Sequence, residues 1–367
     1  MAITNQLLAG TGGRANGSKL INDTFMRSDG DVGIVLTGGT IGSVLKGDNV
    51  VQIASSPEQQ LLKMTESAIK IEQPTRRLSE DFEPNDWVTI AKSVKSLTNR
   101  KSVSSVVVLH GTDTLSYTSA ALSFLLADID IPVIITGANR PTSDIHSDAE
   151  TNYLDAVTAS RTLPPGVYVS FSGIPGKPSV VHLGTRVRKA QAAARSFISV
   201  GRNPVARIVD GSVIPVSKIP ARNPVHGTSL AVCADVMLIK LYPGCPLGAI
   251  SRLVERESIK GVVVELYASS TGHGGTGELS LIEFTKTCTK NGVVVVGTVN
   301  DGVDRVHGVY KSSIQFQEAG GLLASGILPE TATVKLMWVL GQRFDEFGIQ
   351  RAILRDISGE FVASRTA

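Results

Sequence analysis

Cysteine is scarce: three in 367 residues, Cys233, Cys245 and Cys288, an odd number with no close spacing. No disulfide framework can be built from them, and the usage suits a reducing compartment. No apolar run reaches the length of a membrane span. The N-terminus, MAITNQLLAGTGGRANGSK, lacks both the charged start and the apolar stretch of a signal peptide. A soluble, cytoplasmic protein with no membrane partner is expected. Charge is also sparse, 19% of residues with a net of +3. That gives no electrostatic case for a nucleic-acid partner, which needs a clustered basic face. The richest basic cluster, TRVRKAQAAAR at 185–195, reads as a solvated face. Six histidines, His110, His146, His182, His226, His273 and His307, are scattered without ligand spacing, so no metal site is expected. There is no G-x-S-x-G elbow and no G-x-G-x-x-G loop, and GIPGKPS at 173–179 lacks the spacing of a phosphate loop.

What is present is a repeating strand, Gly-rich turn and helix. Hydrophobic residues make up 42% of the chain, the signature of a globular protein. From Val32 onward VGIVL, SSVVVL, IPVIIT and GVYVSF read as strands, and DWVTIAKSVKSL and NYLDAVTASRT as helices. Such alternation implies right-handed crossovers and a parallel sheet. Polar, proline-rich residues at 206–230 read as a linker, after which the alternation resumes with VMLIKL, GVVVEL, NGVVVVGTV and the helical ETATVKLMWVLGQ. The expected organisation is a weakly ordered arm (1–30), a large parallel-sheet α/β domain (31–205), the linker (206–230) and a smaller α/β domain (231–367).

Two strand ends share a vocabulary. LTGGTIGS places Thr37 and Thr40 around a glycine pair; LHGTDTL places Thr112, Asp113 and Thr114 after Gly111. Ligands of open parallel sheets bind outside the carboxyl ends of strands. Glycines let backbone N–H groups approach a ligand, and a hydroxyl among them can serve as nucleophile beside an oxyanion hole. Helix capping explains the Thr and Asp residues equally well. His110 could act as a base or be a satisfied structural group.

Together, TGGTI at 37–41 and HGTDTL at 110–115 resemble the two signatures of the bacterial-type L-asparaginases. The resemblance runs from Val32 to about Gln342. In LGTRVRKAQAAARSF, LIKLYPG and LPETATVKLMWVLG the chain is similar to the asparaginase-like, D-type subunit of the archaeal glutamyl-tRNA(Gln) amidotransferase. It implies an asparaginase-like two-domain α/β fold, a small-molecule amide substrate, no metal or organic cofactor, and a homodimer or homotetramer. It also implies Thr40 as nucleophile, with Thr112 and Asp113 activating a hydroxyl or water and holding the substrate's amino group. Ser79 would contact the substrate's α-carboxylate, Glu80 would occupy a more variable binding position, and Gly39 and Gly111 would form the binding loops.

Two departures stand out. The resemblance implies a lysine before the proline of PVIITGA, completing a Thr–Asp–Lys relay; here that position is Ile131. Without a cation Asp113 would lose the partner that favours its ionised form. Lys46, Lys177 and Lys189 are the available substitutes. The resemblance also implies a tyrosine in the stretch after TGGTI, and this chain has none before Tyr117. Three readings follow: an amidohydrolase releasing ammonia from asparagine or a related amide, an ammonia-supplying amidotransferase subunit, and an amino-acid binder that has lost hydrolysis.

Overall fold

A computed structural model describes residues 29–46, 50–53, 69–192, 195–303 and 309–362. Residues 1–28 of the expected arm, residues 47–49 and 54–68 of the stretch after TGGTI, and the Lys46 side chain lie outside the described residues.

The chain builds β1 (Asp31–Leu36), the hairpin β2 (Ser43–Lys46) and β3 (Val50–Ile53), then β4 (Ile69–Glu72). Helix α1 (Pro84–Thr98) begins with Pro84 in its first turn and a reciprocal capping box between Glu83 and Asp86. β5 (Val103–Leu109), α2 (Leu115–Leu125), β6 (Pro132–Thr136), α3 (Ala149–Ser160) and β7 (Gly166–Phe171) follow in the expected alternation. Next come β8 (Val180–Leu183), the hairpin β9 (Val187–Ala192) and β10 (Arg195–Ser199), then β11 (Ala206–Val209) and β12 (Ser212–Pro215). The large sheet runs β12-β11-β8-β7-β6-β5-β1-β4. Its half from β4 to β7 is parallel, while β8, β11 and β12 join by antiparallel pairing. The sheet is therefore parallel-dominated with an antiparallel edge. Residues 206–215, expected to be linker, extend that edge.

β5 explains why an unbroken apolar run forms here. Val106 and Val108 face one side with α1 and α2, while Val107 and Leu109 face the other with Tyr153 and Ala156 of α3. Alternation at period two thus buries both faces. The smaller sheet, β13 (Val236–Lys240), β14 (Gly261–Leu266), β15 (Val294–Val299) and β16 (Leu322–Leu323), is wholly parallel. Around it lie α4 (Leu247–Arg256), α5 (Leu281–Lys290), α6 (Lys311–Glu318), α7 (Pro329–Leu340) and α8 (Glu346–Leu354). The two units share apolar core: Phe124 of α2 stacks on Trp338 of α7, centroids 5.8 Å apart. Among the described residues no helix is long and apolar enough to cross a membrane.

Candidate active site

Three loops meet at the carboxyl ends of β1 and β5. The first, Thr37 to Gly42, leaves β1 with Gly38 and Gly39 both at positive φ (105° and 75°) and coils into a short 3-10 turn at Thr40–Gly42. Thr37 is buried and ties the loop to β5, its hydroxyl donating to the Leu109 carbonyl (2.8 Å). The second loop is HGTDT, and the third carries Ser79 in a 3-10 turn, Ser79–Asp81. Glycine permits their convergence. A Cβ on Gly39 would fall on the Gly111 amide nitrogen, and one on Gly111 would come 2.5 Å from Ser79 Oγ. The backbones of both signatures therefore abut, with Ser79 stacked behind.

Hydrogen bonds fix the third loop to the second. The Asp113 amide donates to Ser79 Oγ (3.2 Å), and the Thr114 hydroxyl donates to the Ser79 carbonyl (2.7 Å). Ser79 is buried, Thr40 and Thr112 are partly exposed, and Asp113 and Glu80 are exposed. Capping does not account for the polar residues: Thr114 is the N-cap of α2 yet makes no side-chain capping bond. Nor does the Asp113 carboxylate turn to the helix.

The carboxylate meets a lysine instead. Lys189 Nζ lies 2.6 Å from Asp113 Oδ1 and 2.9 Å from Thr112 Oγ1. The lysine comes from β9, 76 residues away in sequence. This corrects the expectation that the relay position falls at Ile131. Ile131 precedes the first residue of β6, packed against the core. The HGTDT loop sits at the other end of that strand, where the His110 amide donates to the Thr136 carbonyl. Five residues of strand separate them, roughly 17 Å, well beyond a lysine's reach. Lys177 lies in the loop after β7, its carbonyl accepting from Ser172.

The basic cluster at 185–195 is a second correction, since it is not a solvated face. Arg186 is fully buried and its guanidinium donates to the carbonyls of Val200, Gly326, Glu360, Asp301 and Gly302. Five backbone acceptors compensate for the lost hydration of the charge.

His110 is a structural group. The Gly111 carbonyl can only accept, so Nδ1 (2.6 Å) carries the proton and Nε2 accepts from the Thr118 hydroxyl (2.9 Å). Burial lowers its pKa to about 4, so the ring is neutral at pH 7. Phe82 packs edge-on at 4.7 Å. Among the described residues no group of three His, Cys, Asp or Glu side chains could hold a metal ion.

A threonine pair, a carboxylate and an ammonium at the strand ends of a two-sheet α/β protein define an amidohydrolase-type fold. The chain belongs to the asparaginase family. The family model described as "Asparaginase, N-terminal" matches residues 31–220, and that of the "Glutaminase/Asparaginase C-terminal domain" matches 235–353. It is 34% identical to the D-type subunit of glutamyl-tRNA(Gln) amidotransferase from Pyrococcus horikoshii, over 90% of this chain and 76% of that protein. To its counterpart from Sulfolobus acidocaldarius it is 32% identical, over 91% and 76%. Among solved structures it is similar to the thermostable L-asparaginase from Thermococcus kodakarensis, with a TM-score of 0.76 and 28% identity over 91% of this chain and all of that one. L-asparaginase I from Vibrio cholerae gives 0.72 and 26% over the same shares.

Proposed function

We propose that the chain hydrolyses the side-chain amide of asparagine or a related small amide to the acid and ammonia. The observation that carries this reading is Lys189, bonded to both Thr112 and Asp113 in a loop packed against TGGT. Thr40 Oγ attacks the amide carbon. Its proton passes to the amide nitrogen, the C–N bond breaks, and ammonia leaves an ester on Thr40. Water held at Thr112 and Asp113 attacks that ester, the acid departs and Thr40 regains its proton. The ammonium of Lys189 favours the ionised form of the hydroxyl beside it, which is what a weak threonine or water nucleophile requires. Ser79 Oγ accepts from the Asp113 amide and so keeps its own proton free to donate to a substrate carboxylate. The exposed Asp113 carboxylate suits the substrate's amino group, and Glu80, also exposed, follows Ser79 in the same short 3-10 turn.

The reaction needs no metal or organic cofactor. A homodimer or homotetramer in the cytoplasm accompanies the proposal, supported by family membership and three free thiols; light scattering reads the assembly. The decisive assay is ammonia release from asparagine and glutamine by the purified protein and by Thr40→Ala. Turnover by the parent, abolished in the variant, is expected; a parent silent on both amides overturns the proposal. A second reading, delivery of ammonia to a partner protein, is favoured by the identity to the amidotransferase relatives. It predicts a copurifying protein whose removal slows ammonia release. The binder reading rested on a missing lysine and a missing tyrosine; Lys189, bonded to Thr112 and Asp113, weighs against the first of these.

A further inference from the structure

Lys189 can do this work only if β9 is held in place, and the strand itself supplies little hold. Among the described residues β9 pairs with β10 alone, in a two-stranded ribbon outside both main sheets. Such a ribbon is marginal by itself. The pairing also shifts register between Arg195 and Phe197, and Phe197 is the residue opposite Lys189.

What fixes the ribbon is the opposite face of β9. Arg188 takes the face opposite Lys189, and both it and Arg186, the residue just before the strand, bond to the smaller unit. Arg188 Nε and Nη2 bond both oxygens of Glu330 (2.6 and 2.7 Å), and Nη2 also reaches the Asn300 carbonyl (2.7 Å). Asn300 is itself held, its amide donating to Glu265 (2.9 Å). Glu330 stands in the first turn of α7, where the helix dipole favours a carboxylate. Both partners are about four-fifths buried, with side-chain exposures of 21% and 18%. A planar guanidinium bonded at two points to a carboxylate fixes orientation as well as distance. From the next residue along, Lys189 reaches back to Thr112 and Asp113.

We propose that the Arg188–Glu330 pair is a positioning device through which the smaller unit sets Lys189 against Thr112 and Asp113. Arg188 and Glu330 are positioning residues that act only through the lysine. The inference rests on the amidohydrolase reading and deepens it: a relay built wholly from the larger unit is held in place from across the unit boundary. It also explains why arginine stands at 188, since a lysine there would replace a fixed fork by a single flexible contact.

The test is a double-mutant cycle on the full chain. Arg188→Ala and Glu330→Gln should each lower kcat by about 10–100-fold, the loss expected when a reacting group is misplaced by roughly an ångström. KM for asparagine should hold, because neither side chain touches substrate. In a Lys189→Ala background Arg188→Ala should cost nothing further, since an effect carried by the lysine vanishes with it. Multiplying losses, or a rise in KM with kcat intact, would overturn the inference. A readout free of activity is acetylation of Lys189 by acetic anhydride, followed by mass spectrometry against the exposed Lys290. Labelling should rise several-fold in Arg188→Ala and in Glu330→Gln, and unchanged labelling in both refutes the positioning role. Should the parent hydrolyse no amide while the labelling responds, the functional proposal fails and the positioning role stands.

Discussion

Replacing Lys189 by methionine should separate activity from stability. The ion pair is open to water: the side chains of Asp113 and Lys189 are 60% and 34% exposed. Pairs so exposed contribute up to about 1 kcal/mol, less after screening. Methionine keeps the aliphatic stem, so packing against the ribbon is retained. The melting temperature should move by no more than about 2–3 °C, the shift that 1 kcal/mol produces in a chain of this size. On the proposed mechanism activity depends on the same lysine far more steeply, through its 2.9 Å bond to the Thr112 hydroxyl and its 2.6 Å bond to Asp113. Losing a group that activates a nucleophile costs about 10²–10⁴ in rate, or about 3–5 kcal/mol of barrier. Ammonia release from asparagine, followed continuously beside a thermal melt, reads both quantities. Ile131→Lys supplies the control: it should neither raise the rate of the parent nor restore Lys189→Met, because that end of β6 lies roughly 17 Å from the loop. A Lys189→Met variant within threefold of the parent would refute the relay. Rescue by Ile131→Lys would refute the placement.

Gly39→Ala should cost more than about 2 kcal/mol and abolish turnover, since φ is +75° and the new Cβ falls on the Gly111 backbone; urea unfolding and the ammonia assay check this. Lys335→Met should cost about 3–5 kcal/mol, because it strands Glu360, both partners being fully buried in the parent; adding Glu360→Leu should recover part of that loss, and an unchanged unfolding midpoint in the single variant would contradict the account. Stability should also fall in mild acid. Burial holds His110 at about 4 and His182 at about 3, against about 6.5 in an unfolded chain. Below pH 6.5 the unfolded state binds more protons, so the contribution is full above that pH and declines by about 1.4 kcal/mol per unit for each histidine. It is gone once pH falls below about 3. Asp356, raised to about 6 by burial, works in the opposite sense, stabilising as pH falls through 6. Urea unfolding at pH 7 and pH 4.5 should show a net loss that His182→Asn reduces; a flat profile would argue against two neutral buried rings.

The sequence displayed the large-sheet strands and both glycine loops because those features are local. β5 reads as a doubly buried strand from four consecutive apolar residues, and Gly39 and Gly111 mark turns where their neighbours leave no room for a Cβ. Lys189 was legible only as one of three available cations, because its partners are distant in the chain. Nothing near Lys189 announces a carboxylate, and Asp113 lies 76 residues upstream. The arginines misled for the same reason: a run of basic residues is usually solvated, yet Arg186 is buried against carbonyls up to 174 residues away. A pattern was nonetheless present. In TRVRKA, Arg188 and Lys189 are neighbours in β9 and so take opposite faces, with Arg186 just before the strand. Two arginines facing the small unit and one lysine facing the HGTDT loop make β9 a bridge between the chain's two halves. A relay built in that way depends on both units being docked. Variants that loosen the stacking of Phe124 on Trp338, well away from the threonines, should then lose turnover before they lose secondary structure.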